Sequence, residues 1–263
     1  MFSTNLNPKG QIFGIGVSMI TMEQALATIM EAAHQRRSLG VTALAVHGLM
    51  EAVRDSRFRD TLEQLDLVTP DGQPVRWSLN ALCAAGLPDR VAGPYLMRYL
   101  CERAATEGVS IYLYGSTEET CGRLVAALNR DFATLRIADV QPDRFRDATD
   151  EERRQDIDRI NRSGCGIVFV GRGCPRQERW VASHLGEVNC PMIAIGAAFD
   201  FMAGNIHHAP VWMQSLGLEW LQRLISDPRR LWKRYLLTNS LFLGYFLSAV
   251  VRQRVFRLRH KTA

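Results

Sequence analysis

The sequence predicts an α/β fold with a parallel sheet, because short apolar segments alternate with helix-like segments over most of the chain. The apolar segments have the length of buried strands and fall at 41–46, 67–68, 111–114, 166–170 and 192–195. Turns and stretches with helical periodicity lie between them, which is the pattern of βαβ units. The carboxyl ends of such strands meet at one edge of the sheet, where we expect ligands to bind.

Helix start signals support this order of elements. A threonine or serine followed three residues later by Gln or Glu predicts capping boxes at 21–24, 116–119 and 149–152. Pro74 suits the first turn of a helix after the second strand. A single helix reaching Phe58 is expected after the first strand.

Pro70-Asp71-Gly72 ends the second apolar segment, and its residues suit either a turn or a site. Proline fixes φ, aspartate bonds to its own backbone and glycine accepts a positive φ, so a tight turn explains these residues by itself. Asp71 also stands at the end of a predicted strand and before a predicted helix, where a carboxylate can meet a ligand. Both interpretations stay open at this point.

Composition and charge set limits on function. The chain has 263 residues, 47% hydrophobic and 22% charged, which suits a large core and excludes a polytopic membrane protein. The N-terminus lacks a signal-peptide pattern, and six scattered cysteines without a C-x-x-C pair indicate reduced thiols in the cytoplasm. Residues 221–263 carry ten Lys and Arg against one acid, whereas residues 1–220 carry 22 bases and 26 acids. The tail is therefore expected to bind an anionic surface or ligand.

The basic tail contains an uncharged stretch of 17 residues, 235–251. As a helix it would rise about 25 Å, at the lower limit for a bilayer core. We expect a helix that lies on a membrane surface rather than one that crosses it, with a core helix as the alternative. Asp227 and Pro228 predict a new helix start before this stretch.

Two glycine-containing turns between a strand and a helix can hold phosphate. Gly115-Ser116 and Gly171-Arg172-Gly173 stand where free N–H groups and the helix dipole favour an anion. Neither matches a dinucleotide-binding or Walker A pattern, so NAD or ATP is not specifically indicated. Two interpretations of these turns remain open: they bind a nucleotide diphosphate, or their role is purely structural.

Other signals point to structure. Asp156-Ile157-Asp158 has the D-x-D form of a metal site but falls within a charged helix, so we expect a solvated face. His207-His208 lacks a third ligand at a suitable spacing, and no metal site is predicted. Trp180, Trp212 and Trp220 are expected to pack in the core.

Four stretches together resemble the WecG/TagA/CpsF family of glycosyltransferases: TPDGQPV, GRGCPRQERW, IGAAFDFMAG and HAPVWMQSLGLEWLQRLISDPRRLWKRYL. The resemblance runs from about residue 12 to 236. It implies a Rossmann-like α/β body of the GT-E type, residues 1–220, and a helical, membrane-associating appendage, residues 221–263. It further implies a metal-independent, inverting transferase without a cofactor, which moves a sugar from a UDP-sugar to a polyprenyl-diphosphate-linked saccharide on the inner face of the bacterial plasma membrane. Such enzymes build teichoic acid linkage units, enterobacterial common antigen or exopolysaccharide.

The resemblance also assigns residues to the reaction. It implies Asp71 as the catalytic base, which takes the proton of the acceptor hydroxyl, and Arg90 and Gln177 as further catalytic residues. Arg90 and the glycine turns would meet the charge of the leaving UDP. Asp200 matches a position of the family pattern, but its residue type does not indicate a role in the reaction. The appendage arginines expected near the diphosphate of the lipid acceptor are Arg223, Arg230 and Arg234.

The chain departs from the family pattern at two places. Ala43 and Ala45 stand where a T-x-N pattern is usual, which leaves Thr42 and His47 as the nearest polar groups, and the stretch 93–96 lacks an expected aspartate. These departures leave the donor and acceptor sugars open. The expected substrate-binding residues are Thr42, His47, Gly115, Ser116, Gly171, Gly173, Asp200, Arg223, Arg230 and Arg234.

Two other classes of function remain as alternatives. One is a catalytically altered, membrane-associated scaffold of the same fold. Ala43, which replaces a usual polar residue of the family pattern, supports this alternative. The other is a nucleic-acid-binding protein, which the basic tail would explain but for which no recognised module is present; we expect no nucleic-acid partner. A homo-oligomer is left open.

Overall fold

A computed structural model describes residues 8–259 of the chain, apart from the side chains of Arg230, Arg234 and residues 254–259. The strands in this part are β1 Lys9–Ile12, β2 Ile15–Ser18, β3 Leu39–Leu44, β4 Leu67–Pro70, β5 Ser110–Gly115, β6 Arg136–Gln141, β7 Ile167–Gly171 and β8 Pro191–Ala194. Strands β1 and β2 form an antiparallel hairpin. The other six form a sheet in the order β4-β3-β8-β7-β5-β6, with every neighbouring pair parallel. The predicted α/β fold with a parallel sheet is confirmed.

Helices connect the strands and begin at the predicted types of cap. The capping boxes at Thr21 and Thr149 both form, and Gly108 and Gly164 end their helices in the left-handed conformation. The helices are α1 Met22–His34, α2 Val46–Arg54, α3 Ser56–Gln64, α4 Gln73–Cys83, α5 Gly93–Glu107, α6 Glu118–Asp131, α7 Asp150–Ser163, α8 Arg176–Ser183, α9 Gly196–Met202, α10 Val211–Ser215, α11 Glu219–Ser226 and α12 Pro228–Arg259.

The sheet is buried on both faces, which explains why its central strands are apolar throughout. On one face it packs against α1, α5, α6 and α9, through side chains such as Ile29, Leu100 and Phe199. On the other face it packs against the hairpin and against α2, α3, α4, α7 and α8, through side chains such as Phe58 and Trp180. The result is a three-layer α/β body.

The chain path brings six strand ends to one edge of the sheet. After β3 the chain adds β4 on one side, crosses to build β5 and β6 on the other, and returns to fill the gap with β7 and β8. The carboxyl ends of β3, β8 and β7 therefore lie side by side at the centre of the sheet. This reversal of winding is where ligands bind in open parallel sheets.

Several local predictions need correction. The hairpin and β6 were not predicted, because their short or half-exposed strands mix polar and apolar residues. The helix expected to reach Phe58 is two helices, since the Asp55 carboxylate accepts the N–H groups of Arg57 and Phe58 and caps α3. The third capping box does not form at Ser116; the N-cap of α6 is Thr117, whose hydroxyl accepts the N–H of Thr120.

Two predictions about burial were also wrong. Asp156 does not lie on a solvated face: it is 2% exposed and accepts hydrogen bonds from Arg144, Gln141 and Tyr114, because α7 turns this residue toward β5 and β6. Trp212 is not a core residue but is 60% exposed.

The C-terminal helix α12 folds back along the body and packs on α2, α4 and α11. Leu231, Thr238 and Phe242 face the body, and Phe242 meets Phe13 with ring centroids 5.8 Å apart. Within residues 8–259, no helix is long and apolar enough to cross a membrane.

Candidate active site

Asp71 lies at the carboxyl end of β4, between that strand and the start of α5. Its backbone N–H donates to the Leu44 carbonyl at 3.2 Å, and its Oδ1 accepts the N–H of Gly93 at 3.0 Å. The residue keeps some solvent contact, but protein atoms surround the carboxyl group. This burial raises its pKa from 3.8 to about 6, Glu219 acts in the same direction, and Arg90 opposes the shift. A carboxyl group with this pKa is a base at neutral pH.

Arg90 stands in the loop before α5, with its side chain 8% exposed. Its Nη1 pairs with the Glu219 carboxylate at the start of α11, and its Nη2 donates to Oε1 of Gln214 at 3.3 Å. The same Gln214 oxygen accepts the hydroxyl of Tyr95 at 3.0 Å. Arg90 therefore joins the body to the segment formed by α10 and α11.

Gln177 lies in the first turn of α8 and is 5% exposed. Its Oε1 accepts the N–H groups of Gly173, at 3.1 Å, and Gly196, at 2.8 Å, which ties the loop after β7 to the loop after β8. Its Nε2 donates to the Glu178 carboxylate at 3.0 Å. Any Cβ on Gly196 would approach the Gln177 oxygen to 2.5 Å, so glycine is required at this contact. The Gln177 amide thus fixes the backbone at the centre of the edge.

Glu178 is a buried carboxyl group that the sequence analysis missed. It is 1% exposed, and its Oε1 also accepts the hydroxyl of Thr42 at 3.0 Å. Burial raises its pKa. The predicted substrate-binding residue Thr42 therefore lies beneath the edge with its hydroxyl donated to Glu178, while His47 lies in the first turn of α2 with its Nδ1 3.9 Å from the Glu51 carboxylate.

The two glycine turns lie against each other, and their contacts are of the structural kind that the sequence left open. Gly115 has φ +113°, and a Cβ there would lie 2.6 Å from the Gly171 carbonyl oxygen. The Ser116 N–H donates to that same carbonyl at 2.8 Å, and the Gly173 N–H donates to Gln177. The N–H groups of Ser116 and Gly173 are therefore not free for an anion, and the glycines provide close packing of two strand ends.

A cationic cluster beside these turns was also missed by the sequence analysis. Asp143, after β6, is buried and pairs with Arg172 at 3.0 Å and with Arg176 at 3.2 Å. It also accepts the N–H of Phe145, which holds Phe145 at φ +54° with its ring 61% exposed. The Asp143 N–H donates to the Ser116 carbonyl at 2.9 Å, so this loop lies against the glycine turns.

The remaining predicted residues lie in α9, α11 and α12. Asp200, in α9, bonds Asn205 and shapes the turn after the helix. His208 stacks between Tyr95 and Phe201, with ring centroids 5.2 and 4.6 Å apart. Arg223, in α11, lies 5.9 Å from the Phe201 ring centre and close enough to Asp71 to lower its pKa.

Arg230 and Arg234 lie on α12, but their side chains fall outside the described ones. Among the His, Cys, Asp and Glu residues that the structure describes, no group of three lies together as a metal site.

The edge of the sheet thus brings Asp71, Arg90 and Arg223 close together. The Gln177–Glu178 cluster lies at the same edge.

Comparison with known proteins bears on what this edge does. A model of the glycosyl transferase WecG/TagA/CpsF family matches residues 10–257. An N-acetylglucosaminyldiphosphoundecaprenol N-acetyl-beta-D-mannosaminyltransferase of Bacillus subtilis (strain 168) is 31% identical over 187 residues, or 70% of each chain. A protein of the same description from Bacillus spizizenii is 29% identical over 188 residues, 71% of this chain and 70% of its own. The resemblance seen in the four sequence stretches is confirmed, and the chain belongs to the WecG/TagA/CpsF family of glycosyltransferases.

Proposed function

We propose that this enzyme transfers a sugar from a UDP-sugar to a polyprenyl-diphosphate-linked saccharide, with inversion at the anomeric carbon. The acceptor would be of the kind that the Bacillus relatives' description names, an N-acetylglucosaminyl diphosphate on a polyprenol. The observation that carries the proposal is the Asp71 carboxyl group, which has a pKa of about 6 and is held at a strand end close to Arg90 and Arg223.

Asp71 acts as the general base in this proposal. Its Oδ1 is bonded to the Gly93 N–H, so Oδ2 is the oxygen that takes the proton from the acceptor hydroxyl as that oxygen attacks the anomeric carbon. One displacement by one activated hydroxyl inverts the configuration. With a pKa of about 6, Asp71 is mostly ionised at neutral pH. Because this pKa lies near the working pH, the carboxylate is also basic enough to accept a proton in the transition state.

Arg90 and Arg223 meet the charge of the leaving diphosphate. Arg90 is held by Glu219 and Gln214, and Arg223 lies over the Phe201 ring, so both cations already stand at the site before a diphosphate arrives. Gln177 positions the loops after β7 and β8 rather than reacting itself. The exposed ring of Phe145 offers a stacking surface for the base of the nucleotide at the same edge.

We further propose residues 1–220 as the catalytic body and 221–263 as an appendage that attaches it to the inner face of the membrane. One face of α12 packs on the body, while Trp232, Leu236, Leu243 and Leu247 form an exposed apolar stripe on another face, with Lys233 exposed nearby. An apolar stripe beside basic residues is typical of a helix that lies at a lipid surface.

The proposal is tested by a transfer assay with a panel of UDP-sugars and a short-chain polyprenyl diphosphate carrying N-acetylglucosamine. We expect a lipid-linked disaccharide and UDP to form in equal amounts with one or a few of the donors. Failure of every donor, with the protein folded and the acceptor accessible, would contradict the proposal and favour the scaffold alternative.

A further inference from the structure

The guanidinium group of Arg90 is already occupied in the ligand-free protein. Its Nη1 pairs with Glu219 and its Nη2 donates to Gln214 at 3.3 Å, and both partners belong to the segment formed by α10 and α11. The Arg90 side chain is 8% exposed, so protein atoms cover nearly all of it. A phosphate oxygen can take the place of either partner only if that partner leaves.

Glu219 is the partner that is able to leave. Gln214 is tied down on both sides, because its oxygen also accepts the Tyr95 hydroxyl at 3.0 Å and its Nε2 donates to the Ala209 carbonyl at 2.8 Å. Glu219 is the first residue of α11, and its side chain is 29% exposed. Its carboxylate can therefore turn into water, where it is well solvated, without breaking another side-chain hydrogen bond to a described residue.

The charges at the site favour that exchange once a diphosphate arrives. Asp71 and Glu219 balance Arg90 and Arg223, and each of the other three groups shifts the pKa of Asp71. A diphosphate adds further negative charge to this partly buried site, where like charges repel more strongly than in water. Departure of the Glu219 carboxylate removes one of those charges and frees the Nη1 donor of Arg90 for a phosphate oxygen.

We propose that Glu219 is an internal counter-ion, which holds Arg90 in the ligand-free protein and is displaced from it by the diphosphate of the donor. Because Glu219 begins α11, donor binding also breaks the ion pair that joins Arg90 to α11. The carboxylate thus couples nucleotide binding to the docking of the segment that carries Arg223. This inference rests on the proposed UDP-sugar donor.

Binding of UDP, measured by titration calorimetry, tests the inference. Glu219→Gln keeps the size of the side chain but removes the charge that competes with phosphate, so we expect it to bind UDP roughly tenfold more tightly than wild type. Its affinity for uridine, which has no phosphate, should not change. Asp89→Asn is the matched control: Asp89 is also an acid close to Arg90, but it accepts the backbone N–H of Arg90 rather than its guanidinium. That variant should alter UDP affinity by less than about threefold.

The possible results distinguish a failure of the counter-ion role from a failure of the proposed UDP-sugar donor. If UDP binds wild type but binds Glu219→Gln equally or less tightly, the counter-ion role is wrong and the donor class stands. A gain as large in Asp89→Asn would also overturn it, since total charge rather than displacement would explain the effect. If UDP does not bind wild type, the proposed donor itself fails. Should Glu219→Gln not fold, Glu219→Asp, whose shorter side chain weakens the pair, must show a smaller gain in the same direction.

Discussion

Replacing Asp71 by Asn separates the chemical role of this carboxyl group from its structural role. An Asn side chain keeps an oxygen to accept the Gly93 N–H, which lies 3.0 Å away, so the link between β4 and α5 persists. It cannot accept the proton of the acceptor hydroxyl. Because a general base contributes roughly 10²–10⁴-fold, we expect Asp71→Asn to lower the transfer rate by about that factor with the fold unchanged.

The same substitution should stabilise the protein at neutral pH. Burial raises the Asp71 pKa from 3.8 to about 6, which means that the folded state favours the protonated form. The carboxyl group therefore destabilises the folded state progressively as pH rises from 3.8 to about 6, and by a constant amount above that range. At about 1.4 kcal/mol per pH unit, this cost is at most roughly 3 kcal/mol. Asn does not ionise and avoids it.

The assay combines transfer rates at pH 5–8 with urea unfolding at about pH 4 and 7.5. Wild-type kcat/KM should rise about tenfold per pH unit below 6 and then level off, reporting the Asp71 pKa. Asp71→Asn should be more stable than wild type at about pH 7.5 and show little advantage near pH 4. The control is Asp66→Asn, at the other end of β4, where a carboxylate also accepts a backbone N–H; it should keep its activity.

Two results would refute this reasoning. Full transfer by Asp71→Asn would return Asp71 to the status of a turn residue, as the Pro70-Asp71-Gly72 sequence alone allows. An Asp71→Asn protein less stable than wild type at neutral pH would show that the carboxylate is stabilised in the folded state, so that burial does not dominate its pKa.

Two further predictions concern the ions and the buried acid of the site. Chelation by EDTA should leave transfer unchanged, because Arg90 and Arg223 are proposed to meet the diphosphate charge; a loss restored by Mg²⁺ or Mn²⁺ would contradict that proposal. Glu178→Gln, which can still accept bonds from Gln177 and Thr42 and removes a carboxyl group whose pKa burial raises, should be at least as stable in urea as wild type at neutral pH. Glu178→Ala should be about 1–3 kcal/mol less stable than Glu178→Gln, because it leaves those donors unpaired. Equal stability of the two variants would show that these bonds contribute little.

The sequence predicted the parts of the site that depend on local signals. A strand followed by Pro70-Asp71-Gly72 and a helix start placed Asp71 at the strand edge, because strand periodicity and turn chemistry act over a few residues. The glycines at 115 and 171 were found for the same reason. The sequence left a phosphate-binding and a structural role open for them, because a free N–H and one bonded to a neighbouring strand look alike in sequence.

Contacts between distant segments were beyond prediction from local patterns. Glu219 and Arg90 are 129 positions apart, and nothing in the GLEW stretch indicates which cation its glutamate meets. Glu178 stands in a polar helical segment and was given no role from the sequence; it is buried because α8 packs against β3, β7 and β8. Asp156 was misjudged for a related reason, since its burial depends on Arg144 from a different loop.

The last prediction concerns membrane binding through the outer face of α12. Ending the chain at Ser226 would remove the proposed lipid-binding surface, but it would also uncover the body surface that Leu231, Thr238 and Phe242 cover. A sharper test replaces only outward-facing residues.

The three leucines Leu236, Leu243 and Leu247, which are 65, 55 and 54% exposed, should be changed together to Ser. Full burial of a leucine contributes about 1.5–3 kcal/mol, so roughly half of that per residue gives a loss of about 3 kcal/mol in membrane binding. Because apolar burial is not screened by ions, the loss should appear at low and at high salt. Flotation with anionic vesicles measures it.

A second variant, Arg229→Gln with Lys233→Gln, removes two exposed cations beside the same stripe. At about 1 kcal/mol per basic residue it should lose roughly 2 kcal/mol of binding at low salt and much less at high salt. Both variants should retain UDP binding, because α12 lies outside the Asp71–Arg90 centre, and the leucine variant should lose transfer to long-chain acceptor more than to a water-soluble analogue. Unchanged flotation of the leucine variant, or equal losses with both acceptors, would mean that this face of α12 does not meet the membrane.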